Sequence, residues 1–138
     1  MPPPLESDGG EGDAMGWLKD LLTPKKQVQP VHLTDASFRK EVLESDLPVV
    51  VDFWGPNCAP CTQLEPVIMA LATDYDGRVK FCEMNAHESP KTISLYRVQG
   101  TPTVLYVKGG HIAERVVGFR PSTFHRQVIE KVLGVPPA

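Results

Sequence analysis

The chain has 138 residues, 41% of them apolar and 22% charged, with a formal net charge of −3. That length suits one ordinary domain plus a tail, and the apolar fraction is enough to fill a core. The negative balance argues against a nucleic-acid binder, which needs clustered basic charge, and three cysteines are too few for a disulfide-stapled secreted scaffold.

Residues 1–27 read as an N-terminal extension. The first 14 or so are rich in Pro, Gly and acid, with almost nothing to bury, which predicts disorder. The start, MPPPLESDGGEGD, has neither the basic n-region nor the apolar h-region of a secretory signal, and it is too acidic for a transit peptide. No apolar run approaches the roughly 20 residues of a membrane helix. The expectation is a soluble, cytoplasmic protein in a reducing compartment, where a close cysteine pair is catalytic or metal-binding rather than structural. In MGWLKDLL, Met15, Leu18 and Leu22 fall at helical spacing, with Trp17 and Leu21 beside them. A stripe about two turns long is marginal alone. It packs on its own domain, stays frayed, or docks to a partner or membrane surface with Lys25 and Lys26.

Residues 28–138 read as one α/β domain. Residues 29–33 predict a short edge strand. LTDASFRKEVLES opens with helix-capping Thr34 and Asp35 and carries Phe38, Val42 and Leu43 on one face. PVVVDFW is a continuous β-branched run, the pattern of a strand covered on both sides. Residues 59–75 predict a helix with a kink at Pro66. RVKFCEMN predicts a strand, and SPKTISLYR a short helix with Pro90 in its first turn. TVLYV and HIAERVV are strands joined by the hairpin pair Gly109-Gly110. PSTFHRQVIEKVL closes as an amphipathic helix. The order β-α-β-α-β-α-β-β-α gives a parallel first half and an antiparallel hairpin: one mixed sheet of about five strands with helices on both faces.

The chemistry concentrates in FWGPNCAPC. Zinc normally takes four ligands, as two such pairs or one pair with two spaced histidines. Only one pair is present, and Cys82, His32, His87, His111 and His125 show no ligand spacing. An iron–sulfur cluster normally takes four thiolates. The pair follows a buried strand and opens a helix, which places Cys58 at the helix N-terminus and Cys61 one turn inside. Unpaired N–H groups and the helix dipole stabilise negative charge there, so Cys58 is the expected thiolate nucleophile. Cys61, shielded but close, is the expected resolving thiol of an exchange through a mixed disulfide. Asp52 lies in an apolar run, where desolvation raises a carboxyl pKa unless the group reaches solvent or a local hydrogen bond.

With VVVDFW before the pair, CAPC itself, Pro66, GTPT, the GG hairpin and VVGF, residues 28–134 resemble the thioredoxin family in order and without large gaps. The resemblance implies the thioredoxin fold and a protein thiol–disulfide oxidoreductase, a disulfide reductase. It implies that Cys58 and Cys61 form the redox-active disulfide and that Asp52, beneath them, exchanges protons with Cys61. It implies that Pro102 is a cis-proline facing the disulfide and that Thr101 offers its backbone to an extended substrate segment. From the residues alone, Pro102 also reads as a strand-entry proline. Trp54, Pro60, Gly100 and Gly118, with Phe119, match the family's substrate-docking positions; Trp54 reads equally as a core aromatic. No bound cofactor is implied. Electrons are expected from NADPH through a flavoprotein thioredoxin reductase, and the expected partners are that reductase and disulfide-containing proteins, with the chain a monomer.

Three positions depart from the family pattern. Asn57 replaces the Trp before the first cysteine, which shrinks the rim and bears on partner choice. Ala59 replaces a Gly. Glu83 stands where the family usually carries a Lys near the buried Asp, and two neighbouring carboxylates resist ionising together. Cys82, facing opposite to Glu83 by strand alternation, is expected to pack in the core, or else to act as a redox-sensing or dimerising thiol. The competing function is an interaction module that binds one partner through the fold and the N-terminal helix, with incidental redox activity. An oxidant or isomerase would need a more oxidising pair and compartment.

Overall fold

The computed structural model describes residues 16–18, 22 and 26–137. The stretch expected to be disordered lies outside the described residues. So does the expected helix at 15–22 except for residues 16–18 and 22, which are helical.

Five strands, β1 (Val31–Leu33), β2 (Val49–Trp54), β3 (Lys80–Asn85), β4 (Thr103–Lys108) and β5 (His111–Val117), form one sheet in the spatial order β1-β3-β2-β4-β5. Pairing is parallel from β1 to β3 and β3 to β2, then antiparallel from β2 to β4 and β4 to β5. The mixed sheet follows from two kinds of connection. Long helical connections place β1, β2 and β3 parallel to one another but bring β4 in antiparallel to β2, whereas Gly109 and Gly110 turn the chain directly back into β5. Both glycines have positive φ, 59° and 79°, as a tight hairpin requires. A Cβ on Gly110 would also meet the Leu43 carbonyl oxygen at 3.0 Å.

Over residues 26–137 the α-helices are α1 (Ala59–Asp74), α2 (Pro90–Tyr96) and α3 (Ser122–Lys131), with a π-helical segment at Arg39–Leu43 and a 3-10 turn at Ala86–Glu88. Strand alternation divides the core in two. Val50, Phe81, Val104 and Tyr106 pack with Leu64, Ile68 and Leu71 of α1 and Ile129 of α3. Val49, Val51, Phe53, Cys82, Met84 and Leu105 pack on the other face with Phe38, Val42, Ile93 and Tyr96. Asp52 and Glu83 therefore share the α1 side, and Cys82 points away from them. Among the described residues no helix is long and apolar enough to cross a membrane.

Three elements near the N-terminal half of the sheet differ most from the sequence reading. β1 is three residues, not five. The strand expected from Arg78 starts at Lys80, because the amides of Arg78 and Val79 bond back to the Tyr75 carbonyl. The helix expected after Leu33 is a turn followed by the π-helical segment, where the Glu44 amide reaches the Arg39 carbonyl. Asp35 caps a different helix. Its carboxylate accepts from the amides of Lys91 (3.1 Å) and Thr92 (2.9 Å) and from the Thr92 hydroxyl (2.6 Å), closing the open end of α2 from 56 residues away. Helix α1 runs unbroken through Pro66.

Candidate active site

At the end of β2 the chain leaves the sheet through Gly55 and Pro56 and turns at Asn57, whose φ of 53° is left-handed. Asparagine is among the few side chains that accept this conformation readily. The turn delivers Cys58 in extended geometry (φ −125°, ψ 98°) as the N-cap of α1, with exposed Pro60 in the first turn. Proline suits that position because its missing N–H has no helical partner there. The Cys61 amide donates to Cys58 Sγ at 3.2 Å, so a free end of the helix backbone is aimed at the outer sulfur. The two cysteines form a disulfide with 5.3 Å between Cα atoms. Cys58 is half-buried, while Cys61 is only 6% exposed.

The loop before β4 meets the outer sulfur from the opposite side. The Thr101-Pro102 peptide is cis. The Thr101 carbonyl oxygen lies 3.5 Å from Cys58 Sγ, and the Thr101 hydroxyl 3.6 Å from it. Gly118, with a φ of 90° that favours glycine, donates its amide to the Pro102 carbonyl at 2.8 Å. Gly100 is exposed, and Val117 and Phe119 stay exposed where β5 leaves the sheet beside this loop. Cys58, Thr101, Pro102 and Gly118 thus come together. Trp54 takes a different post: half-buried, its indole N–H donates to Glu83 Oε1 at 2.5 Å, behind the pair.

Behind Cys61 lies a cleft of about 380 Å³, lined by Asp52, Trp54, Asn57, Cys61, Glu65 and Glu83 among others. Asp52 is 5% exposed, and its Oδ1 has no hydrogen-bond partner among the described residues. Burial, then the charges of Glu83 and Glu65, push its carboxyl from 3.8 up to about 7. Glu83 is the register partner of Asp52 on the neighbouring strand. Its carboxylate is fixed by Trp54 and by His32 Nδ1 at 2.8 Å. Cys82, buried on the far face, has its thiol pushed by burial up to about 12, which keeps it protonated at neutral pH.

Two contributors were not read from the sequence. Glu65 sits four residues after Cys61 on α1, so helical spacing alone puts both on one face. His32 reaches Glu83 because the two are register partners across β1 and β3, and register was not readable from three residues of strand.

A family model described as Thioredoxin matches residues 29–131. The chain belongs to the thioredoxin family. Thioredoxin 1 of Nostoc sp. is 43% identical over 102 residues, covering 74% of this chain and 95% of that protein. Thioredoxin of Synechocystis sp. is 43% identical over 102 residues, with the same coverage. A chloroplastic M-type thioredoxin of Spinacia oleracea is 41% identical over 108 residues, 78% of this chain and 59% of that protein. The five-stranded mixed sheet with its helices is the thioredoxin fold. The chain is accordingly a thiol–disulfide oxidoreductase of the protein-disulfide reductase type, carrying its CxxC pair at the start of α1.

Proposed function

We propose that this thioredoxin-family chain reduces protein disulfides with Cys58 as the attacking sulfur, Cys61 as the resolving sulfur and Asp52 as the proton acceptor for Cys61. The observation that carries this reading is the asymmetry of the pair: Cys58 half-open at the helix end, Cys61 buried beside the cleft that holds Asp52.

In the reduced protein the Cys58 thiolate attacks one sulfur of a substrate disulfide. A mixed disulfide forms, and the other substrate sulfur leaves as a thiolate that takes a proton from water. The Asp52 carboxylate then takes the proton of the Cys61 thiol. The Cys61 thiolate attacks Cys58 Sγ, the Cys58–Cys61 disulfide forms, and the second substrate sulfur leaves and is protonated. Two electrons pass to the substrate. The backbone of Thr101, held beside Cys58, pairs with the extended substrate segment, and Gly100, Pro102, Gly118 and Pro60 keep that approach low. A flavoprotein thioredoxin reductase drawing on NADPH restores the dithiol, so the chain carries electrons without a resident cofactor. It works as a monomer in the cytoplasm, a reading supported by its sparse cysteines and by the shielding of Cys82.

The test is insulin reduction, driven by dithiothreitol or by NADPH with thioredoxin reductase. Wild type is expected to precipitate insulin and Cys58→Ser to do so no faster than the blank. An inactive wild type that still captures one partner would favour the interaction-module reading.

A further inference from the structure

The cleft behind Cys61 has a one-sided charge. Three carboxyl groups line it, Asp52 from β2, Glu83 from β3 and Glu65 from α1, and no Lys, Arg or His is among its lining residues. The basic side chain that reaches one of them, His32 from β1, is already engaged with Glu83. Glu65 is exposed and makes no ion pair among the described residues. Asp52, which lines the cleft, is 5% exposed, and its buried Oδ1 has no hydrogen-bond partner among the described residues. A buried polar atom left unsatisfied is costly, so the position is built for a donor that comes from outside.

The kind of donor is limited by the rest of the lining. Among the described residues no three His, Cys, Asp or Glu side chains converge closely enough to hold a metal ion. The walls also carry Pro30, Ile68 and Met69, which suit an alkyl stem rather than a bare ion. A long apolar stem ending in a cation is a lysine or arginine side chain, whose methylenes lie on apolar surface while the head reaches its counter-charge. The cleft also reaches Asn57, Cys61 and Thr62, the residues around Cys58, so it borders the point where a substrate cysteine is held.

We propose that this cleft receives a lysine or arginine side chain adjacent to the disulfide of the protein substrate, so that cation-flanked disulfides are reduced preferentially. The inference rests on the disulfide-reductase reading and names the substrate class for it. The cation also serves the chemistry. Placed beside Asp52, it favours the carboxylate form, which is the form that takes the Cys61 proton, so the substrate that fills the cleft hastens its own release.

The experiment uses the reduced full-length chain and two short disulfide peptides that differ at one position beside a cysteine, Lys in one and Gln in the other. The second-order rate of reduction is followed for each. The Lys peptide is expected to react about tenfold faster at low ionic strength, the equivalent of one well-placed charge contact, with the ratio shrinking as salt is added. The ratio is expected to fall toward one in Glu65→Gln, an exposed site whose replacement leaves the core untouched, and further in Glu65→Gln/Glu83→Gln. Equal rates for the two peptides, or a wild-type preference that survives in both variants, overturns the proposal. Failure to reduce either peptide is a separate result, and it would remove the reductase reading itself.

Discussion

Burial and the carboxyl groups of Glu83 and Glu65 hold the Asp52 carboxyl near 7, against 3.8 for the free side chain. In the proposed cycle the step in which Cys61 attacks needs Asp52 ionised, so its rate is expected to rise with pH through about 7. Replacing Glu83 by Gln removes one of the charges that raise Asp52, and the midpoint is expected to move down. Carboxyl-carbon NMR titration of Asp52 in both proteins checks this, and identical midpoints would contradict it. The same shift has a stability consequence. The folded chain binds a proton at Asp52 that the unfolded chain has already lost between pH 3.8 and about 7, so this group lowers stability as pH rises across that window. Asp52→Asn is expected to stabilise the oxidised protein by up to about 4 kcal/mol at pH 8 and by little near pH 4, read from denaturant midpoints. The residue types of this site were legible: VVVDFW, CAPC and GTPT place Cys58, Cys61, Asp52 and Pro102 without coordinates. The post of Trp54 was not, since its partner Glu83 lies 29 residues away and only strand pairing reveals it.

Helix α2 is short, and a helix of seven residues depends on its ends. The Asp35 carboxylate supplies three hydrogen bonds at its start, and together with Lys91 these outweigh the upward push of burial to hold its carboxyl below the usual range. Asp35→Ala is expected to lower stability by about 1–2 kcal/mol at pH 7. A depressed carboxyl contributes above its unfolded pKa and loses that contribution as pH falls, so the difference between wild type and Asp35→Ala is expected to shrink in acid. Chemical denaturation of the two proteins at pH 7 and pH 3 checks it; a constant gap would assign Asp35 a packing role instead. At this scale the residue pattern served well for β2 and β4, which are continuous apolar runs, for β5, which follows the Gly109-Gly110 turn, and for α3, which is amphipathic. It failed after Leu33, where Thr34 and Asp35 look like the start of their own helix. Their sequence neighbourhood is the same whether Asp35 caps the next turn or one 56 residues on, and tertiary contact decides.

Across the whole molecule the buried polar groups are few, and His125 is the one most sensitive to acid. It is 0% exposed on α3, with Nδ1 bonded to the Tyr106 hydroxyl. Burial pushes it down to about 4, so the folded chain resists a proton that the unfolded chain takes below about 6.5. Stability is therefore expected to fall as pH drops from about 6.5 to 4 by up to about 3 kcal/mol from this residue, opposing the gain from Asp52 over much of the same range. A pH series of denaturant midpoints on Asp52→Asn is expected to show the His125 loss unmasked; a flat series would contradict it. The fold as a whole was legible because strands and helices alternate simply along the chain and one glycine hairpin closes the sheet at β5.

The most direct test of the division of labour between the two sulfurs is alkylation of the fully reduced chain with iodoacetamide at pH 7, read residue by residue by mass spectrometry. Cys58 is expected to be modified first and well ahead of an ordinary exposed thiol, with Cys61 protected and Cys82 untouched. Modification of Cys61 ahead of Cys58, or a Cys58 rate no higher than that of a free cysteine peptide, would contradict the account.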